Sequence, residues 1–253
     1  MSPSDITTSL SAFAKTSNVR VLFAIESGSR AWGFASPDSD YDVRAVFVRP
    51  TEDYLAVSQP SEDLSAIDGD FDLGAWDLRK FLRLLRKSNA TPMEWLQSPI
   101  RYVGDEETFA TLLAFAKTHF APRATVNHYR GLATKSWASF DGEGVGKLKK
   151  LFYVLRPLLA GRWIVERGGV APMAFPPLLE LLSAGELRQA IDEAVERKKA
   201  VGEGHVERVP TIIRDFIGDS FRLLEEADLP RTSPVDASAL DDYFRDAVTR
   251  STT

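Results

Sequence analysis

The sequence predicts an α+β fold in which a few strands near the N-terminus are followed by a helical half. Three observations carry that prediction. Two apolar runs of strand length, Val19–Ile25 and Asp40–Val48, fall early in the chain. From Pro99 onward, apolar residues recur at spacings of three and four, the period of helices with one buried stripe. Strands early and helices late segregate into layers instead of alternating as β-α units.

In chain order, Asp5–Thr16 reads as a helix with Ser4 as its N-cap. Val19–Ile25 is nearly continuous in apolar residues, which suits a central strand covered on both faces. Gly28–Ala35 has room for one or two helical turns. Asp40–Val48 is the second strand, stopped by Pro50. Its period of two puts Asp40, Asp42, Arg44 and Val46 on one face and Tyr41, Val43, Ala45 and Phe47 on the other. Residues 51–66 read as a loop with a helical turn at Thr51–Leu55. Asp68–Leu73 reads as a short strand carrying Asp68, Asp70 and Asp72 on one face. Asp77 is a sound N-cap for a helix through Lys87, with a stripe of Leu78, Phe81, Leu82 and Leu85. Pro92 fits the first turn of the next helix. Beyond Pro99 the chain reads as wholly helical, with helices near 105–120, 123–140, 146–167, 177–183, 185–201, 210–226 and 238–251, and linkers at Gly168–Pro177 and Leu229–Pro234. The expected division is residues 1–100 and 101–253.

A chain of 253 residues with 44% hydrophobic and 26% charged residues has the composition of a globular protein with a substantial core. No run of eighteen apolar residues and no export signal is present, so neither a membrane partner nor secretion is expected. The absence of cysteine excludes disulfides and thiolate metal sites and makes the cytoplasm the natural location. His119, His128 and His205 are too scattered for a histidine zinc site, so any metal is expected to have oxygen ligands. The net charge of −5 argues against indiscriminate nucleic-acid binding. From Arg123 to Arg167, however, nine basic residues face three acidic ones, a local excess that suits a polyanion.

The chemistry is concentrated between the two strands, in Gly28-Ser29-Arg30-Ala31-Trp32-Gly33 and Ser39-Asp40-Tyr41-Asp42-Val43-Arg44. A Gly-Ser turn offers backbone amides and a hydroxyl to phosphate oxygens, because glycine lets the main chain come close. An Asp-x-Asp pair at the strand period puts two carboxylates on one face, where a hard cation bridges them to phosphate. That combination suits a nucleoside triphosphate with one or two Mg2+ ions. The plainer alternative is a solvated turn over residues 36–40, which leaves the Gly-Ser-Arg run unexplained.

These segments resemble the DNA polymerase beta-type nucleotidyltransferase superfamily, and in particular its RNA-repair-pathway branch. Trp76–Leu82, Lys87-Ser88-Asn89 with Glu94-Trp95-Leu96, and Tyr153–Leu159 resemble that branch as well, so the similarity spans roughly residues 18–165. The resemblance implies a mixed-sheet nucleotidyltransferase domain, closed by a helical substrate-binding domain. The implied reaction is metal-dependent transfer of a nucleoside monophosphate from a triphosphate to a hydroxyl, with pyrophosphate released. It also implies a two-metal site, Mg2+ or alternatively Mn2+, held by Asp40, Asp42 and a third acid from a neighbouring strand. Asp72 is the choice for that third position, with Asp70 and Asp77 as alternatives, although Asp77 also reads as a helix cap and Asp68 as a turn residue.

Gly28, Ser29 and Arg30 are the expected nucleotide contacts. A surface pairing with Asp38 is the alternative for Arg30, and a core position is favoured for Trp32. Lys149, Tyr153 and Arg156 share one face of the long helix, with Trp163 and Arg167, and join Lys80 as candidate substrate contacts, able to stack a base and neutralise its phosphate. Arg79, Arg83 and Arg86 form a second basic stripe, either phosphate-facing or simply solvated. Glu94 reads as structural, paired with Lys80 or capping near Asn89. Pro157 is expected to bend the long helix. The acceptor is open: an RNA 3′ end is favoured, a protein hydroxyl receiving AMP is the alternative, and a non-catalytic RNA- or nucleotide-binding module is the third reading. Oligomeric state is not legible.

Overall fold

A computed structural model describes residues 1–202, 204–230 and 235–250. Its centre is a five-stranded mixed sheet built from β1 (Arg20–Glu26), β2 (Tyr41–Val48), β3 (Asp63–Asp68), β4 (Phe71–Asp77) and β5 (Arg101–Val103), in the order β3-β4-β2-β1-β5. β2 and β4 run parallel, and every other pairing is antiparallel. The strand period decides what each face of β2 meets. Val43, Ala45 and Phe47 pack on Ile6 and Leu10 of α1 (Pro3–Thr16). Val46 and Val48, with Phe23 and Ile25 of β1, pack on α4 (Leu78–Arg86), α5 (Ala90–Trp95), α6 (Glu106–Thr118) and α12 (Ser238–Thr249).

The helical half is organised around α8 (Leu148–Arg167), which is buried on nearly all sides by α7 (Pro122–Trp137), α9 (Phe175–Leu178), α10 (Glu186–Ala200) and α11 (Thr211–Glu226). A helix buried on nearly every side belongs in the middle of a bundle. Gly161 lets α11 come close, because a Cβ there would lie 2.6 Å from Leu224 Cδ1. α8 continues as helix through Pro157. The short α2 (Gly28–Trp32), between β1 and β2, joins the two halves: Ala31, Trp32 and the following Phe34 sit in the helical core beside Phe152 and Phe175. The remaining helical turn, α3 (Thr51–Leu55), lies where the sequence places it.

Several expectations need correction. The cap of α1 is Ser2, not Ser4: the Ser2 hydroxyl and the Asp5 carboxylate form a reciprocal capping box. Asp68–Leu73 is not one strand. Asp68 pairs with Phe71 across a Gly69-Asp70 turn, with Gly69 at φ +55°, and residues 63–68, read as loop and turn, form the strand that pairs with β4. A two-residue loop with glycine at its first position is a hairpin signal, and here it outweighs strand continuity. The chain after Pro99 is not wholly helical. β5 forms a sheet edge, and β6 (Val145–Lys147) pairs with β7 (Val206–Arg208), so Gly146 lies in a strand and α8 starts at Leu148. The 100/101 division thus falls just ahead of β5. The expected linker at 229–234 and helix end at Ser251 fall partly outside the described residues. Among the described residues, no helix is long and apolar enough to cross a membrane.

Candidate active site

β1 ends at Glu26, and the chain turns at Gly28, where φ is +61°. That turn is stapled to Asp42. The Ser27 amide donates to the Asp42 carbonyl (2.8 Å), and the Asp42 amide donates to Glu26 Oε1 (2.9 Å). Glu26 is fully buried and also accepts from the Tyr102 hydroxyl; burial pushes its carboxyl up, against those two hydrogen bonds. A Cβ on residue 28 would lie 2.0 Å from Asp42 Oδ2, so the backbone of the Gly-Ser turn lies directly against that carboxylate. No side chain caps α2, whose first turn carries the buried Ser29.

The parallel pairing of β2 and β4 sets Asp42 directly opposite Asp72, with the two side chains on the same face. Arg44 bridges them: its Nη2 lies 3.0 Å from Asp42 Oδ1 and 3.1 Å from Asp72 Oδ2. Burial raises the Asp42 carboxyl above the usual range; Arg44 pulls it down, Asp72 pushes it up, Lys149 lowers it and Asp40 raises it. The like-charge influences of Asp72 and Asp40 both oppose ionisation of Asp42. Asp40 itself is exposed on the loop just before β2. Of the alternatives to Asp72, Asp70 lies in the hairpin turn. Asp77 is a buried N-cap that accepts from the Arg79 amide (2.8 Å) and the Tyr54 hydroxyl (2.7 Å).

Among the described residues no three His, Cys, Asp or Glu side chains already converge as a metal cluster, and Arg44 Nη2 stands between the central pair. The donor set still fits a hard divalent cation. Each of Asp42 and Asp72 has one oxygen outside the Arg44 bridge, Asp42 Oδ2 faces the Gly28 backbone, and Asp40 adjoins.

Residues 3–246 match the model of the RNA repair pathway DNA polymerase beta family. The chain belongs to that family. Membership makes it a polymerase beta-like nucleotidyltransferase. It is 40% identical over 212 residues to the uncharacterised protein YcgL of Bacillus subtilis (strain 168), covering 83% of this chain and 81% of that one. It is 27% identical over 152 residues to the uncharacterised protein MJ0002 of Methanocaldococcus jannaschii, covering 58% and 61%. A solved nucleotidyltransferase-like protein from Exiguobacterium sibiricum 255-15 aligns at TM-score 0.32 and 13% identity, over 98% of this chain and 88% of that one.

Within this family member, the other expected contacts fall into two groups. Lys149, in the first turn of α8, acts electrostatically on Asp42, and Tyr153 one turn on meets the Trp32 ring edge-on at 5.1 Å. Arg156 lies deeper on the same face and is buried. Its Nη1 donates to Glu94 Oε1 (2.9 Å), its Nε donates to the Met173 carbonyl (2.9 Å), and its guanidinium lies 4.7 Å from the Trp32 ring. Glu94 therefore pairs with Arg156 and not with Lys80, which pairs with Asp63 and covers the Trp76 ring. Trp32 is a core residue, as favoured. Arg30 does not bind Asp38: it donates to the carbonyls of Ser39 (2.6 Å) and Asp40 (3.1 Å) and stacks on Tyr41 at 3.9 Å. In the other basic stripe Arg83 pairs with Glu62, and Arg79 covers the rings of Tyr54 and Phe244.

Sequence reasoning passed over three participants. Arg44 was on the motif's own face, two residues beyond Asp42, and that parity was its signal. Glu26 was the last residue of an apolar strand, next to the turn. Lys198 gave none. Buried on α10, it donates from Nζ to Ser36 Oγ (2.7 Å), which contacts Ser39 Oγ (3.0 Å), so a distant helix holds the loop that presents Asp40.

Proposed function

We propose that this chain is a divalent-metal-dependent nucleotidyltransferase that moves a nucleoside monophosphate from a triphosphate to a hydroxyl acceptor, an RNA 3′ end, with release of pyrophosphate. The observation that carries the reading is the placement of Asp42 opposite Asp72 on parallel strands, with Asp42 against a glycine turn too close to admit a side chain.

In this reading Asp40, Asp42 and Asp72 hold one or two Mg2+ ions, with Mn2+ as a substitute. The bound metal supplies charge neutralisation at the triphosphate and lowers the pKa of the attacking hydroxyl. The amides of the Gly28 turn and the Ser29 hydroxyl take the terminal phosphates, and Arg30 fixes the loop through its carbonyls. Lys149 neutralises phosphate charge beside Asp42, and Tyr153 lines the same wall. The acceptor oxygen bonds to the α-phosphorus as the bond to the bridging oxygen breaks and pyrophosphate departs. The hydroxyl proton passes to Asp72, whose 42% side-chain exposure lets it return the proton to water. Lys80 and Arg156 act through packing. The basic excess of residues 123–167 supports a polyanionic acceptor. A cysteine-free chain with these substrates belongs in the cytoplasm.

The test is incorporation of label from each of the four nucleoside triphosphates into RNA with Mg2+, with a paired arm in which lysate is incubated with ATP and proteins are weighed by mass spectrometry. Lengthened RNA, lost on Asp40→Ala with Asp42→Ala and separately on Asp72→Ala, supports the reading. AMP on a protein moves the acceptor while keeping the chemistry. Activity untouched by these changes removes the site.

A further inference from the structure

Arg44 is not a mobile surface arginine. Its Nη1 donates to the carbonyls of Val43 and Asp72, each at 2.8 Å, which anchors the guanidinium to two adjacent strands. The stem runs past Gly74, where a Cβ would lie only 3.3 Å from Arg44 Cδ. Nη2 faces the carboxylates and takes one oxygen from each. Two like charges on directly opposed strand positions repel, and a fixed cation between them removes that cost without any metal. Its charge also remains when a metal arrives. With Asp40, Asp42 and Asp72 counted against Arg44 and Lys149, a free divalent ion meets a nearly balanced site.

We propose that Arg44 is a resident cation that keeps the Asp42–Asp72 pair assembled before catalysis and weakens the hold of that pair on a bare divalent ion. This rests on the metal-dependent reading of the site. A magnesium ion held by one or two carboxylates plus substrate phosphates fits the arrangement, because the oxygens Arg44 leaves outside its bridge are few and the phosphates supply the rest. Arg44 is thus a positioning residue whose charge lowers affinity for the bare ion while its geometry orients both acids.

The experiment titrates full-length protein with Mn2+ alone, reading free ion by electron paramagnetic resonance, and repeats the titration for Arg44→Met, Arg44→Gln and Arg44→Lys. Removing the charge is expected to tighten Mn2+ binding at least ten-fold in Arg44→Met and Arg44→Gln. Arg44→Lys is expected to stay within about three-fold of the parent. Gln retains hydrogen-bonding capacity toward the strand carbonyls, so it reports on charge even if Met loosens the fold. Equal or weaker Mn2+ binding in both neutral variants overturns the proposal. Tightening that persists when Asp42→Asn and Asp72→Asn are added overturns the metal reading as well, because the ion then binds elsewhere. Tightening abolished by those additions supports both.

Discussion

The Glu94–Arg156 pair allows the two roles open to Arg156 to be separated by measurement. Arg156 is 3% exposed and Glu94 12%, and the hydrogen bond between them is 2.9 Å long. Burial, with the Glu94 charge, raises the hydroxyl pKa of the fully buried Tyr129 well above the ordinary value. Removing one partner of such a pair strands a charge in the bundle and costs about 3–5 kcal/mol. In a chain of this size, each kcal/mol moves the midpoint by about 2–4 °C, so Glu94→Gln or Arg156→Met alone should lower Tm by about 6–20 °C. The double change Glu94→Gln with Arg156→Met removes both charges and should recover most of that loss. Urea unfolding at constant m supplies the free energies. Were Arg156 a solvent-facing substrate contact, Arg156→Met would shift stability by no more than about 0.5 kcal/mol. That result, or strictly additive single and double changes, would refute the structural assignment.

Two other outcomes follow from the geometry. Gly28→Ala places a methyl 2.0 Å from Asp42 Oδ2 at φ +61°, so nucleotide transfer should fall by about 100-fold, while the left-handed backbone costs about 1–2 kcal/mol of stability; undiminished transfer would count against the turn lying beside the reacting phosphate. Burial depresses His128, whereas the unfolded chain takes up its proton near pH 6.5, so the stabilisation from the neutral ring is complete above that pH and is lost as pH falls through the folded-state value. The stability difference between parent and His128→Phe should therefore change between pH 7.5 and 5.5, as read by urea midpoints, and a pH-independent difference would contradict it.

Residues whose roles depend on local period were legible. The parity of Asp42 and Arg44 on β2, the Asp77 cap and the stripe of α4 follow from spacing alone. What escaped depended on distance or on brevity. Three-residue strands such as β5 carry too little alternation to register, and their pairing comes from the partner strand. Arg156 was read as a substrate contact on a basic and aromatic face, but neighbouring helices enclose α8 at that turn. Lys198 finds its partner Ser36 across 162 positions, a closure no local pattern encodes.

The docking of α12 on the sheet has a consequence for how the chain is made. Leu240, Ala247 and Val248 cover the same apolar flank as Phe23, Val46 and Val48, although more than two hundred residues separate most of them in synthesis order. A nascent polypeptide halted before residue 238 therefore carries every acidic group of the motif beside an apolar flank from which Leu240, Ala247 and Val248 are missing, which invites clumping or proteolysis. Until translation reaches α12, only α4, α5 and α6 are in place to close that flank.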